Sequence, residues 1–361
     1  MAGHGDGGAH KLRRAAMVCG TPLQLIGCIA LATSLRERGE AAPDLFLRHD
    51  FVGSRNLVEG LRAEGIFSAV FEIGAHAKGL FSMRGGEKDE LPKDARTLLA
   101  EQLEPSCPAD RVSDYAFLYF SYPYDTVKAL RDLNPAAQLR AFDDGLGSYV
   151  GNIVRDNGGE SLLPIERLYL WEPGLYRGEL CDDVRSLHLE KGREGAFEYA
   201  CRLFGVDQKD IDLYRGARCV YLTQPTDGKQ SRLREKEAVL DALRPWAPEV
   251  IVRRHPRDDV KPVGGFAYDE RGVPWELLCL SGALDERTVL LASVSTAQLM
   301  PKILLGDEPV LVVTERLSGA SVTEAERAIV ELMRSAYEDP GKIVVPETAA
   351  ELSAALRRVL A

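Results

Sequence analysis

Short apolar runs of strand length recur along the chain, and between them lie stretches whose apolar positions repeat at helical spacing. The runs read as buried strands and the stretches as amphipathic helices. "AAMVCG" is followed by a helix over 22–38, "PDLFLR" by one over 54–64, "FSAVFEI" by one near 93–104 and "DYAFLYF" by one over 124–133, before the run "AQLRAF". A stretch from about 150 to 215, rich in charge, glycine and proline, reads as loop and short helix. Alternation then resumes. "ARCVYLTQ" leads to a helix over 230–243, "EVIVRRH" to 274–281, "RTVLLAS" to 296–304, "PVLVVT" to 322–337 and "KIVVP" to 347–360. Strand and helix in series build a parallel sheet covered on both faces, so the pattern predicts an α/β protein with two doubly wound, Rossmann-like domains.

The chain of 361 residues is long enough for that plan. Residues 1–11, "MAGHGDGGAHK", read as a disordered tail, 12–205 as the N-terminal domain and 206–361 as the C-terminal domain. A net charge of −10 argues against a general nucleic-acid binder, so any polyanion must be bound locally. Seven scattered cysteines without metal-ligand spacing read as reduced thiols, as in a cytoplasmic protein. One segment competes with that assignment: "KLRRAAMVCGTPLQLIGCIALATSL" sets basic residues before a weakly polar run, with Leu25-Ile26-Gly27-Cys28 resembling a lipoprotein cleavage box. Gly20-Thr21-Pro22 breaks the run into a strand and a helix, which favours a folded segment. No other stretch is long enough to cross a bilayer, which leaves at most peripheral membrane contact, at the inner face.

Ligands of open α/β sheets gather at the carboxyl ends of strands, and that rule selects four places. In "CGTPLQ", Gly20 suits a tight turn, Thr21 a helix cap and Pro22 the first helical position; Gln24 is the residue a cap does not explain. In "AFDDGLGSY", neighbouring strand residues point to opposite faces, so one of Asp143 and Asp144 can act as general base while the other supports the turn, and Gly145 permits close approach. An ordinary Asp-Gly turn would look the same. "RRHPR" ends a strand with Arg253, Arg254, His255 and Pro256, which suits an anion, or else is a solvated turn answered by Asp258 and Asp259. The fourth place joins "VPWELL", where Glu276 could accept from ribose hydroxyls or lie on a helix surface, to "SVST", where Ser293, Ser295 and Thr296 open a helix and could hold phosphate or merely cap. Asp227, in "LTQPTDG", is a competing base.

Two doubly wound domains facing a cleft form the GT-B architecture of many sugar-nucleotide glycosyltransferases, an analogy of fold that does not fix function. "CGTPLQ", "DDG" at 143–145, "RRHP" at 253–256, "VPWELL" at 273–278 and "SVST" at 293–296, in this order over nearly the whole chain, resemble the bacterial sialyltransferases, most closely the lipooligosaccharide sialyltransferase family. The resemblance implies a GT-B fold, a CMP-activated sugar donor, inversion at the anomeric carbon, no cofactor and no required metal. It also implies a glycan acceptor, lipid-linked acceptors included. Carried over by motif, one carboxylate of Asp143-Asp144 is the general base, with the leaning to Asp143. His255 stabilises the departing CMP phosphate, Ser293, Ser295 and Thr296 hold its oxygens, and Glu276 holds the ribose. Arg253 stands where lysine is usual, and the hydroxyl pair is spread over three residues, so which pair binds phosphate is open. Rival functions are a transferase using CMP-octulosonic acid or a CDP-polyol, and a non-catalytic nucleotide-sugar or glycan-binding protein.

Overall fold

A computed structural model describes residues 12–74, 97, 99, 103, 112–150, 163–192, 195–258, 260–319 and 323–360. The N-terminal tail, and the helix expected near 93–104 apart from Thr97, Leu99 and Leu103, lie outside the described residues. The chain divides into two compact units, one made of Met1–Asp144, Gly151–Pro173 and Gly178–Leu203, the other of Gly145–Val150, Gly174–Arg177 and Phe204–Ala361.

The first unit holds a seven-stranded sheet of β1 (Arg13–Cys19), β2 (Ala41–Arg48), β3 (Ala69–Ile73), β4 (Phe117–Phe120), β5 (Gln138–Phe142), β6 (Arg167–Leu170) and β7 (Val184–Ser186). Every pairing is parallel, in the order β3-β2-β1-β4-β5-β6-β7. The central strands are buried on both faces, which is why they read as unbroken apolar runs rather than alternating ones. Helix Pro22–Glu37 is likewise buried over most of its circumference, including Leu25–Cys28 of the export-like segment. Gly27 lets it lie close on the sheet, since a Cβ there would sit 3.1 Å from the Phe142 ring.

The second unit repeats the plan with β8 (Cys219–Leu222), β9 (Val250–Arg253), β10 (Ala267–Asp269), β11 (Val289–Ala292), β12 (Val310–Val313) and β13 (Ile343–Val344). The order is β10-β9-β8-β11-β12-β13, again parallel throughout. Its core joins Cys219, Val250, Val289 and Val312 of the sheet to Val239 and Leu243 of helix Gln230–Leu243 and Leu352 and Leu356 of helix Ala349–Val359.

One expectation is corrected. The stretch from 150 to 215 supplies β6 and β7, which extend the first sheet, and the helices Ala196–Phe204 and Gln208–Tyr214. β7 carries too few apolar positions to stand out from its charged flanks, whereas β6 has a buried apolar run from Leu168 to Trp171 set within a stretch rich in charge, glycine and proline. Among the described residues no helix is long and apolar enough to cross a membrane, and the six described cysteines are free.

Candidate functional site

In the first unit the winding changes direction between β1 and β4, which opens a crevice at their carboxyl ends. Thr21, with extended backbone, caps helix Pro22–Glu37 by accepting the Gln24 N–H at 3.2 Å, and Pro22 occupies the first turn, where no N–H is needed. Gln24 is buried and does more than continue the helix. Its Oε1 accepts from the Gly20 N–H at 2.6 Å and the Tyr124 hydroxyl at 3.1 Å. Two donors on that oxygen fix the amide orientation, so Nε2 is left to donate to Asp144 Oδ1, at 2.8 Å. The sequence suggested a ligand contact for Gln24; the structure joins it to a carboxylate 120 residues away.

The two aspartates after β5 part company. Asp143 is 2% exposed, its N–H donates to the Tyr169 carbonyl at 2.9 Å and its Oδ2 accepts the Trp171 N–H at 3.4 Å. Asp144 is partly exposed. Burial pushes its carboxyl up to about 7, the neighbouring Asp143 charge adds to the rise, and the Gln24 N–H opposes it. A carboxyl poised near neutrality at a strand end is suited to take a proton. The expected leaning to Asp143 meets this difference: Asp143 ties β5 to the turn after β6, and Asp144 is the more exposed of the two carboxylates.

Within the second unit the change of direction lies between β8 and β11. The turn after β9 spends most of its cations on the fold. Arg253 donates to Asp269, to the Tyr214 hydroxyl at 3.1 Å and to the Val273 carbonyl, beside the Trp275 ring. These partners engage both terminal nitrogens of the guanidinium within the fold, where the sequence suggested an anion contact. Arg254 closes the following loop by donating to the carbonyls of Asp258 at 2.6 Å and Val260 at 3.1 Å. Pro256 and Arg257 are exposed.

His255 is half-buried. Its backbone N–H donates to Thr223 Oγ1 at 3.0 Å, Thr223 donates to Asp258 Oδ2 at 2.5 Å, and Asp258 Oδ1 meets Lys236 Nζ at 2.6 Å in a pair sealed from solvent. Burial lowers the imidazole pKa, with the Arg257 charge adding to the effect, which favours the neutral ring. The Arg257 N–H donates to Nδ1 at 3.1 Å, which puts the ring proton on Nε2 as a donor.

The hydroxyl loop resolves into two kinds of residue. Ser293 is buried and accepts from Arg232. Ser295 caps helix Thr296–Leu305, accepting the Ala297 N–H at 3.3 Å, and Thr296 Oγ1 accepts the Leu146 N–H at 3.2 Å. Each of the latter two keeps its own O–H to donate. Gly145 is required at that contact: its φ is +103°, and a Cβ would lie 2.7 Å from Thr296 Oγ1. Glu276, partly exposed in the first turn of helix Trp275–Leu280, has its pKa raised by burial. Asp227 stands exposed in a left-handed conformation, 3.7 Å from Arg257 of the His255 turn. Among the described residues no group of three or more His, Cys, Asp or Glu side chains is placed to hold a metal ion.

Several participants were not anticipated from sequence: Tyr124, Arg48 and Asp50 in the first unit, and Thr223, Lys236 and Arg232 in the second. Asp50 and Tyr124 follow β2 and β4, so the strand-end rule applied there would have found them.

No protein-family model matches the chain, and no curated protein matches it by sequence. Among solved structures it is similar to S. aureus MnaA in its co-structure with UDP, at 12% identity and a TM-score of 0.54 over 97% of this chain and 88% of that one. It is similar to the glycotransferase of kitacinnamycin, at 11% identity and a TM-score of 0.52 over 97% and 90%. A third likeness is to the glycosyltransferase VinC in complex with dTDP, at 12% identity and a TM-score of 0.51 over 96% and 91%. At such identities the likeness establishes the fold: two parallel-sheet, Rossmann-like α/β domains of the kind found in GT-B glycosyltransferases.

Proposed function

We propose that the chain is an inverting glycosyltransferase that moves sialic acid, or a related nonulosonic acid, from its CMP conjugate to a hydroxyl of a terminal galactose-type sugar on a glycan. The observation that carries this is Asp144, a reachable strand-end carboxyl held near neutrality with one oxygen fixed by Gln24. In the reaction the acceptor hydroxyl gives its proton to Asp144 while its oxygen bonds to the anomeric carbon. The bond from that carbon to the CMP phosphate oxygen breaks, and CMP leaves with the electron pair. His255 donates its Nε2–H to the departing phosphate, stabilising charge without carrying any itself. Ser295 and Thr296, whose hydrogens remain to donate, are the hydroxyl pair on the phosphate oxygens. Ser293 holds Arg232 instead, and Glu276 accepts from the ribose. No metal takes part in this scheme, and the protein works in the cytoplasm, at most peripherally on a membrane.

The cytidine assignment rests on the five motifs that resemble the sialyltransferases. MnaA with UDP and VinC with dTDP make uridine and thymidine donors the second reading. A thermal-shift panel of CMP, CDP, UDP, dTDP and GDP separates them. A nucleotide at a hundred times its Kd stabilises by about 2.7 kcal/mol, and cytidine nucleotides are expected to do so selectively. Selective stabilisation by UDP or dTDP would reassign the donor. No response to any nucleotide would remove the transferase reading.

A further inference from the structure

A second carboxylate lies at the same sheet edge as Asp144, and the mechanism above does not use it. Arg48, the last residue of β2, has a side chain only 5% exposed. Its Nε donates to Asp50 Oδ2 at 2.6 Å, its Nη1 reaches Thr126 Oγ1 at 3.3 Å, and its guanidinium lies over the Tyr124 ring at 4.5 Å. The Asp50 side chain is itself 30% exposed. A buried cation thus grips one oxygen of a carboxylate whose other oxygen has no further partner among the described residues. That is how a protein holds an acceptor group rigid at a surface.

The position of Asp50 relative to the base follows from Gly20. The Asp50 Oδ2 and Tyr124 hydroxyl oxygens lie 3.1 and 2.8 Å from the point a Gly20 Cβ would occupy, so both converge on the turn after β1. From Tyr124 the hydrogen bonds continue through Gln24 to Asp144. One amide therefore separates the patch beside Asp50 from the base. At the end of β4, between these groups in sequence, Ser121 Oγ is fully buried without a partner among the described residues, and the partly exposed Tyr122 ring lies 5.1 Å from Tyr124. A fixed carboxylate beside an accessible aromatic ring suits a neutral, polyhydroxylated ligand. A second anion would be repelled by Asp50.

We propose that Asp50, held by Arg48, reads the acceptor: it accepts a hydrogen bond from a hydroxyl of the same sugar whose other hydroxyl Asp144 deprotonates. The assignment rests on the glycosyl-transfer reading and adds a specificity-determining residue to it. A site built to accept from a hydroxyl discriminates strongly against loss of that bond.

The test compares full-length wild-type protein with Asp50→Asn, using lactose as probe. Saturation-transfer NMR without donor should detect lactose on the wild type and lose it in Asp50→Asn. With CMP-sialic acid as donor, the lactose KM should rise about tenfold to a hundredfold while kcat stays within about threefold. The thermal shift produced by CMP should persist, which reports that the variant is folded. If Asp50→Asn does not fold, Asp50→Glu keeps the charge opposite Arg48 but displaces the oxygens, and the same rise in KM is expected. A wild-type KM in a folded variant, or no lactose signal on the wild type, overturns the proposal. Asp50-dependent lactose binding without any transfer by the wild type would support Asp50 as a sugar ligand and sink the transferase reading instead.

Discussion

Replacing Asp144 with asparagine is expected to lower the transfer rate about a thousandfold, within the range general-base catalysis supplies, while CMP still binds. Asparagine retains the shape and can still accept from Gln24, but it cannot take the acceptor proton. The pH profile of the wild type should carry the same signature. A base works in its deprotonated form, and burial pushes the Asp144 carboxyl up to about 7, so the rate should rise with pH to a plateau just above neutrality. Below that point it should fall about tenfold per pH unit, until other groups intervene. Asp143→Asn should behave differently. That carboxylate is buried against the Trp171 N–H, so its replacement should cost stability more than rate. If Asp143→Asn, or Asp227→Asn, abolishes turnover while Asp144→Asn keeps it, the base has been misassigned.

The largest expected loss of stability comes from Lys236→Met. Lys236 and Asp258 form an ion pair with side chains 6% and 2% exposed, and removing one partner of such a pair costs about 3–5 kcal/mol, because the other is left charged and unanswered. The loss should appear as a fall of roughly 10 °C in Tm. It should also weaken CMP binding, since Asp258 fixes Thr223 and Thr223 fixes the backbone of His255. In the wild type the Asp258 pKa is lowered, with Lys236 and Thr223 outweighing the effect of burial. The stabilisation from this carboxylate is therefore fully present above its unfolded pKa of about 3.9 and is lost as pH falls through the lower folded value. Lys236→Met should lack that acid-range loss. A variant with wild-type Tm would show that the pair does not brace the site.

Most strands of both sheets were legible where burial on two faces produced a continuous apolar run, β6 excepted, and that covers the strands flanking both changes of winding. What escaped was short and at or near sheet edges: β7 and β10 are three residues each and partly exposed, so packing across the sheet, not their own composition, makes them strands. The candidate site was legible in its residue types but not in its pairings. The sequence shows an Asp-Asp pair, but not the tertiary contacts, such as that of Asp143 with the Trp171 N–H 28 residues on, that go with the burial of one member. It shows arginines ahead of a histidine, but the partners of Arg253 sit 16 and 39 residues away at Asp269 and Tyr214. Spacing carries no trace of such contacts. Periodicity therefore reaches the scaffold and the strand ends, and tertiary hydrogen bonds choose among the candidates placed there.

The most direct test of the transferase reading is turnover itself: purified full-length protein, CMP-sialic acid and a small panel of galactose-terminated acceptors in buffer containing EDTA, read by mass spectrometry. The predicted result is release of CMP with an acceptor heavier by one sialyl residue, lost in Asp144→Asn. Transfer only from UDP- or dTDP-sugars, a strict need for a divalent metal, or full transfer by Asp144→Asn would contradict it.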